Sequence, residues 1–350
     1  MRVMQLIDSL EPGGAERIAV IMANGLSEKI EGSYLCVTRK EGFLKTSILP
    51  KVHYNFLNKK RALDIRALLK LKHIVKKENI SIIHAHTTSY FFGTLLKIIY
   101  PKISLIWHEH QGKRIKSNLY NNKILYMCSF FFNTIIVVNK ELQFWCKKNL
   151  ATKDVRYLPN FISVNEFKTS SNQINKTIVC LANLKEPKNH LNLLAAFKIV
   201  HSHYPEWKLH LIGKDYNDSY SKSLKDYIKA EELNEQICFY GNNIPITDVL
   251  PEASIGVLSS DDEGQPMALL EYGASGLAVI TTNVGYCKEV IGNFGNIVET
   301  QNPIALSQAI IDYIDNESLR MKEASDFKNY ITTHYSLSSV LPKLLTIYKN

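Results

Sequence analysis

Short apolar, β-branched runs alternate with amphipathic helical stretches along almost the whole chain, in two successive series. The first series reads "RVMQLID" (2–8), "SYLCVT" (33–38), "SIIHAHT" (81–87), "SLIWHEH" (104–110) and "TIIVVN" (134–139). After the first strand, Ala15, Ile18, Ala19, Met22 and Leu26 recur at helical spacing. "VRYLPNFI" (155–162) then leads into "KTSSNQINK" (168–176), a polar stretch without large apolar residues that reads as a linker. The second series follows: "TIVCLAN" (177–183), "KLHLIGK" (208–214), "QICFYGN" (236–242), "SIGVLSS" (254–260), "LAVITTN" (277–283) and "GNIVE" (295–299). Helices are expected at about 303–315, 317–333 and 337–348. Near-continuous apolar strands separated by helices predict parallel sheets covered on both faces. The fold class is therefore α/β, with two Rossmann-like domains facing each other across a central cleft. Residues 1–168 and 176–334 are the expected domains, with a C-terminal helix at about 335–350 packing back on the first. Ligands in such sheets sit beyond the carboxyl ends of the strands.

The 350 residues suit two domains, and 45% hydrophobic with 21% charged residues is a globular composition. Six cysteines without C-x-x-C spacing argue for reduced thiols in a cytoplasmic protein, not a zinc ribbon or disulfide framework. The N-terminus reaches a glycine turn too early for a signal peptide. The longest apolar run, 124–138, is interrupted by Asn133 and falls short of a membrane span. Much of the net charge of +9 sits in "KKRALDIRALLKLKHIVKK" (59–77), where Leu63, Ala67, Leu71 and Ile74 recur at helical spacing. Such a segment is either a solvated helix face or a patch drawn to anionic headgroups at the inner face of the cytoplasmic membrane. No helix-turn-helix, zinc-finger or RNP pattern supports nucleic acid as a partner.

One strand-end loop carries chemistry. In "EGQPMALLEYGASG" (263–276), Pro266 is a natural first helical residue and Gly276 a natural stop. The helix 266–275 thus turns its N-terminus, with unpaired N–H groups, to the ligand side of the sheet, where phosphate is favoured. Glu263 and Glu271 would repel phosphate and instead suit hydroxyl groups flanking it. Pro266 and Glu271 are roughly 7.5 Å apart along a helix rising 1.5 Å per residue. Hydroxyls on either side of a diphosphate describe a nucleotide sugar. The plain alternative is a capping Glu263 and a solvent-facing Glu271.

Residues 260–291 resemble the E-x7-E signature of retaining glycosyltransferases of family 4. "EPGGAER" (11–17), "YLPNFISVNEF" (157–167) and "LANLKEPKNHLNLLAAF" (181–197) resemble, in order, that family's glycine loop, interdomain segment and donor-phosphate motif. The resemblance spans nearly the whole chain and implies the GT-B architecture, with acceptor-side and donor domains in that order. It implies Glu263 on the transferred sugar and Glu271 on the ribose hydroxyls. Gly264, Gln265, Pro266, Met267 and Leu270 belong to the donor loop and helix start, and Gly13 and Gly14 to the phosphate approach. Lys188 matches the lysine that neutralises the departing diphosphate, and His110 the family's active-site histidine. Asn183 stands where the family commonly has arginine, so either Lys185 or another residue compensates or the leaving group is held less tightly.

His84/His86 and His108/His110 end neighbouring strands, each pair on one face. Four histidines could hold a metal, yet no Cys, Asp or further ligand pattern accompanies them, and no metal site is assigned; His84 and His86 are placed on the acceptor side. The expected activity is retaining, metal-independent transfer from a nucleotide-diphosphate sugar, a UDP-sugar, without a cofactor. The expected acceptor is a glycan hydroxyl, on a lipid-linked intermediate of bacterial capsule, O-antigen or exopolysaccharide synthesis. The alternatives are a nucleotide-sugar 2-epimerase and a non-catalytic sugar-nucleotide-binding subunit.

Overall fold

Every strand pairing is parallel, which explains why the strands read as continuous apolar runs. The computed structural model describes residues 1–110, 112–116, 122–168 and 175–349. Residues 169–174 of the expected linker, and Gln111, lie outside them. The chain forms two compact units, Met1–Phe161 with the segment from Leu337 onward, and Ile162–Ser336.

Unit 1 comprises β1 (Arg2–Ser9), α1 (Gly14–Ser27), β2 (Gly32–Lys40), β3 (His53–Phe56), α2 (Ile65–Lys77), β4 (Ile82–His86), α3 (Tyr90–Ile99), β5 (Ser104–Glu109), α4 (Lys123–Ser129), β6 (Thr134–Val137), α5 (Lys140–Asn149) and β7 (Val155–Tyr157). Its sheet runs β3-β2-β1-β4-β5-β6-β7. Alternate side chains divide between the faces. Met4, Leu6, Tyr34 and Cys36 pack under α2 to α5, while Ile7, Leu35 and Val37 pack under α1. The basic helix is shorter than expected. Asp64 caps it by accepting from the Ala67 N–H, so 59–64 is not helical and Leu63 stands 65% exposed outside it. The buried stripe is Ala67, Leu71 and Val75.

Unit 2 comprises β8 (Thr177–Leu181), α6 (His190–His203), β9 (Lys208–Ile212), α7 (Ser219–Ala230), β10 (Ile237–Gly241), α8 (Ile246–Val249), β11 (Ile255–Leu258), α9 (Met267–Ser275), β12 (Ala278–Thr282), α10 (Cys287–Ile291), β13 (Asn296–Val298), α11 (Pro303–Asp315) and α12 (Glu317–His334). The sheet order is β10-β9-β8-β11-β12-β13. The chain leaves β8 toward one edge and resumes at β11 toward the other, so the switch point lies between β8 and β11. These strands pair over only two residue pairs, Ile255 with Ile178 and Gly256 with Val179. Tyr272 of α9 fills the gap beyond: its hydroxyl accepts from Leu181 N at 2.6 Å and donates to Val257 O at 3.2 Å. Gly256 leaves room for that ring, since an added Cβ would lie 2.5 Å from it.

The final helix, α13 (Leu337–Lys349), returns to unit 1. It lies on the face covered by α1, close enough at Gly25 that a Cβ there would meet a Leu337 methyl at 2.7 Å. No helix among the described residues is long and apolar enough to cross a membrane.

Candidate functional site

In unit 2, three loops at the carboxyl ends of the strands are knit together around the switch point. The loop after β8 meets the loop after β11 through Asp261 N to Pro187 O (2.8 Å), Asn189 Nδ2 to Asp261 Oδ1 (2.9 Å) and Ser259 Oγ to Asn189 O (3.1 Å). This frame brings Lys188 Nζ to 2.6 Å from Glu263 Oε1, which also accepts from Ser260 Oγ at 2.7 Å. Glu263 is the more buried of the pair, its side chain 8% exposed against 23% for Lys188. The loop after β12 supports the same place. Tyr286 N donates to Gly264 O, and Gly285, at φ +50°, lies so close that a Cβ would come within 1.9 Å of Glu263 O. Only glycine combines that φ with that approach.

Pro266 is the N-cap of α9, one residue earlier than its expected helical position, and Gly276 closes the helix in the left-handed region at φ +74°. Every residue of α9 is buried. Glu271 is 2% exposed, so the alternative of a solvent-facing acid does not hold. Gln265, Met267 and Leu270 are buried beside it, and Gly264 is half-buried. The Glu271 carboxyl thus sits inside unit 2, on a helix that starts beside the strand ends.

Asn183 has a structural task. Its Oδ1 accepts from Lys214 N at 2.9 Å, tying the end of β8 to the end of β9. Gly213 is pressed against this junction, where a Cβ would lie 2.0 Å from Ala182 O. The Lys185 and Lys214 ammonium groups both reach the Tyr216 ring, at 5.8 and 5.1 Å from its centroid. The cations of this loop cluster are thus Lys185, Lys188 and Lys214. Sequence reasoning passed over Lys214, Tyr216, Gly285 and Tyr272; "GK" ending one strand and "VG" following another were the available signals for Lys214 and Gly285.

In unit 1, Gly13 is the extended N-cap of α1 and Gly14 its first residue, at the carboxyl end of β1. The Glu16 carboxylate folds against Gly13. Nearby, Asp8 accepts from Thr88 at 2.7 Å and from Thr38, and pairs with buried Lys59 at 3.4 Å. Burial alone would raise the Asp8 pKa; the Thr38 hydrogen bond, Lys59 and Thr88 overcome this and lower it. Burial in turn lowers that of Lys59. Lys59 is therefore not part of an exposed basic surface, which begins at Lys60.

Buried His84, His86 and His108 and half-buried His110 form one array on the α1/α13 face. His84 Nε2 meets His108 Nδ1 at 3.1 Å, and His86 Nδ1 meets His110 Nε2 at 3.1 Å. Tyr348 of α13 reaches His84 Nδ1 at 2.6 Å, and Gln5 Oε1 reaches His86 Nε2 at 2.8 Å. Burial pushes the pKa values of His84 and His110 down to about 3, and those of His86 and His108 well below the ordinary value. All four rings are neutral near pH 7. His84 and His86, expected on the acceptor side, are fully buried and use both ring nitrogens inside the array. His84, His86 and His108 do bring ring nitrogens within 4.8 Å of one another. Yet the His84 and His86 planes are 4° from parallel, stacked with centroids 4.6 Å apart. In-plane lone pairs of stacked rings do not converge on one ion, so this is a hydrogen-bonded stack in its present form.

Comparison with known proteins agrees with this reading of the fold. A family model described as "Glycosyltransferase Family 4" matches residues 12–166, and one described as "Glycosyl transferases group 1" matches 162–333. The chain is a family 4 glycosyltransferase. It is 25% identical over 345 residues to the O-antigen biosynthesis glycosyltransferase WbnH of Escherichia coli, covering 95% of this chain and 97% of that protein. It is 21% identical over 310 residues to the E. coli UDP-Gal:alpha-D-GlcNAc-diphosphoundecaprenol alpha-1,3-galactosyltransferase, covering 81% and 79%. The crystal structure of Anabaena HepE with UDP and glucose superposes with a TM-score of 0.84 at 16% identity over the whole of both chains, sharing the GT-B fold. This glycosyltransferase thus has the two parallel α/β units of its family, with Glu263 and Glu271 eight positions apart at the switch point of the second.

Proposed function

We propose that the protein transfers a sugar from a UDP-sugar to a hydroxyl of a lipid-linked glycan, with retention of anomeric configuration and without a metal. The observation that carries this is the Lys188–Glu263–Ser260 constellation at the mouth of α9. Without a donor, the lysine's charge is matched by Glu263. An entering diphosphate competes for Lys188 and frees the Glu263 carboxylate for a sugar hydroxyl. Glu271 receives the ribose hydroxyls. As the nucleotide departs, negative charge grows on phosphate, and Lys188 with the α9 N-terminus stabilises it. Lys185 and Lys214 supply the cationic contact absent at Asn183, and the family resemblance implies Gly13 and Gly14 at the phosphate. His110 serves the transferred sugar, as the family resemblance implies.

UDP as the nucleotide is supported by the HepE complex, and a lipid diphosphate acceptor by the name of the E. coli galactosyltransferase. Peripheral contact with anionic lipid at the cytoplasmic membrane face, through Lys60–Lys77, would bring the enzyme to such an acceptor. The test is turnover of UDP-sugars with a synthetic polyprenyl-diphosphate sugar in EDTA, with the product anomer read by NMR. An α-linked product from an α-donor is expected. An inverted linkage, loss of turnover in EDTA, or interconversion of the sugar nucleotide without acceptor would each overturn the proposal.

A further inference from the structure

The proton positions in the histidine array follow from a single amide. Gln5 Nε2 donates to the Tyr348 hydroxyl at 3.2 Å, and Gln5 Oε1 accepts from His86 Nε2 at 2.8 Å. His86 therefore carries its proton on Nε2, and being neutral leaves Nδ1 bare. The 3.1 Å contact with His110 is then donated by His110 Nε2, which leaves His110 Nδ1 without a proton. On the other branch, Tyr348 has accepted from Gln5 and so gives its own proton to His84 Nδ1. His84 Nε2–H in turn donates to His108 Nδ1. Each donor determines the next, and the branch through His86 ends on His110.

We propose that His86 is a positioning residue for the transfer reaction, holding His110 in one ring orientation and one tautomer. This rests on the role proposed above for His110 at the transferred sugar. His86 makes its two hydrogen bonds with different nitrogens, one to Gln5 and one to His110, and lies between them in a stack with ring planes 4° from His84 and 18° from His110. It has no exposed surface and so acts only through its neighbours. Remove its Nδ1 acceptor, and His110 is free to rotate or to exchange tautomer.

The two nitrogens can be replaced separately. In His86→Asn the amide oxygen can take the place of Nδ1 and keep the bond from His110. In His86→Gln the amide can take the place of Nε2, keeping the contact with Gln5 and losing the one with His110. The expected result is a kcat within about threefold of wild type for His86→Asn. His86→Gln should lose on the order of tenfold in kcat, the worth of one hydrogen bond, with KM for the donor unchanged. Long-range 1H–15N spectra of the wild-type protein should show His110 protonated on Nε2, a signature kept in His86→Asn and lost in His86→Gln.

Equal kcat in the two variants would overturn the proposal, as would a wild-type His110 protonated on Nδ1, which needs no variant to fold. Stoichiometric zinc retained by the purified protein would also overturn it, because a ligating nitrogen cannot carry the proton of this chain. His110→Ala separates the two readings. If it leaves transfer intact, the role of His110 in the proposed function fails. If it abolishes transfer while both His86 variants are unaffected, only the positioning role fails.

Discussion

At the scale of single residues, what decides the donor loops is how closely backbone segments approach one another. Gly285→Ala would set a methyl group against Glu263 O at a φ that other residues rarely adopt. It should move the Glu263–Gly264 loop and raise the donor KM by about tenfold or more, with a stability loss of roughly 1–3 kcal/mol by denaturant titration. Lys188→Ala should abolish turnover and leave Glu263 without its cation. Because Lys188 is partly exposed, the stability cost stays near 1 kcal/mol, well under that of a fully buried pair. Glu271→Gln keeps the shape of α9 and removes the charge. Titration calorimetry should show weakened UDP binding, and unchanged affinity would remove Glu271 from the ribose.

At the scale of elements, the hydroxyl of Tyr272 holds open the seam between β8 and β11. Tyr272→Phe would leave Leu181 N and Val257 O unpaired inside unit 2, at a cost of about 1–3 kcal/mol, read as a lower unfolding midpoint with little change in m-value. That seam also marks the limit of what the sequence makes legible. The strands with strong apolar runs were readable because a parallel sheet covered on both faces demands them. β3 and β7 were not, since "HYNF" and "VRY" are short and lie at the sheet edges. The basic segment looked helical from Lys59 because charge and periodicity run on through it. The Asp64 cap and the Lys59–Asp8 pair, a contact across the fold, end the helix sooner. Glu263, Lys188 and Glu271 were found because their loops have characteristic spacing. The Tyr272 spacer, the Lys214–Asn183 brace and the Tyr348–His84 contact depend on residues far apart in the chain, and no local pattern announces them.

At the scale of the whole molecule, the buried histidines tie stability to pH. The array faces Gln5 of β1, Tyr348 of α13, Asn160 and its own members, with no carboxylate among these partners. The folded pKa values are depressed, to about 3 for His84 and His110, and His190 in unit 2 is lowered by burial to about 4. The unfolded chain therefore binds more protons at mildly acidic pH. The stabilisation is complete above the unfolded pKa near 6.5 and is lost as pH falls from there toward 3. Each such histidine adds up to ~1.4 kcal/mol per pH unit to the slope. Denaturant titrations between pH 7.5 and 4.5 should show a stability that falls as the pH falls. For membrane contact, charge reversal belongs on Lys60, Arg61, Arg66 and Lys70, leaving Lys59 untouched. The quadruple variant should no longer sediment with anionic vesicles while its unfolding midpoint stays within a few degrees of wild type.

One feature of the chain's route bears on how the molecule comes into being. Unit 2 is a continuous stretch of sequence, but unit 1 is closed by α13, which is synthesised after all of unit 2. A nascent chain emerging from the ribosome thus has a seven-stranded sheet with the α13 side of one face uncovered and His84 without its Tyr348 partner. That state persists through the synthesis of the entire second unit. The later half of the protein can mature first, and the earlier half is finished only when Tyr348 arrives.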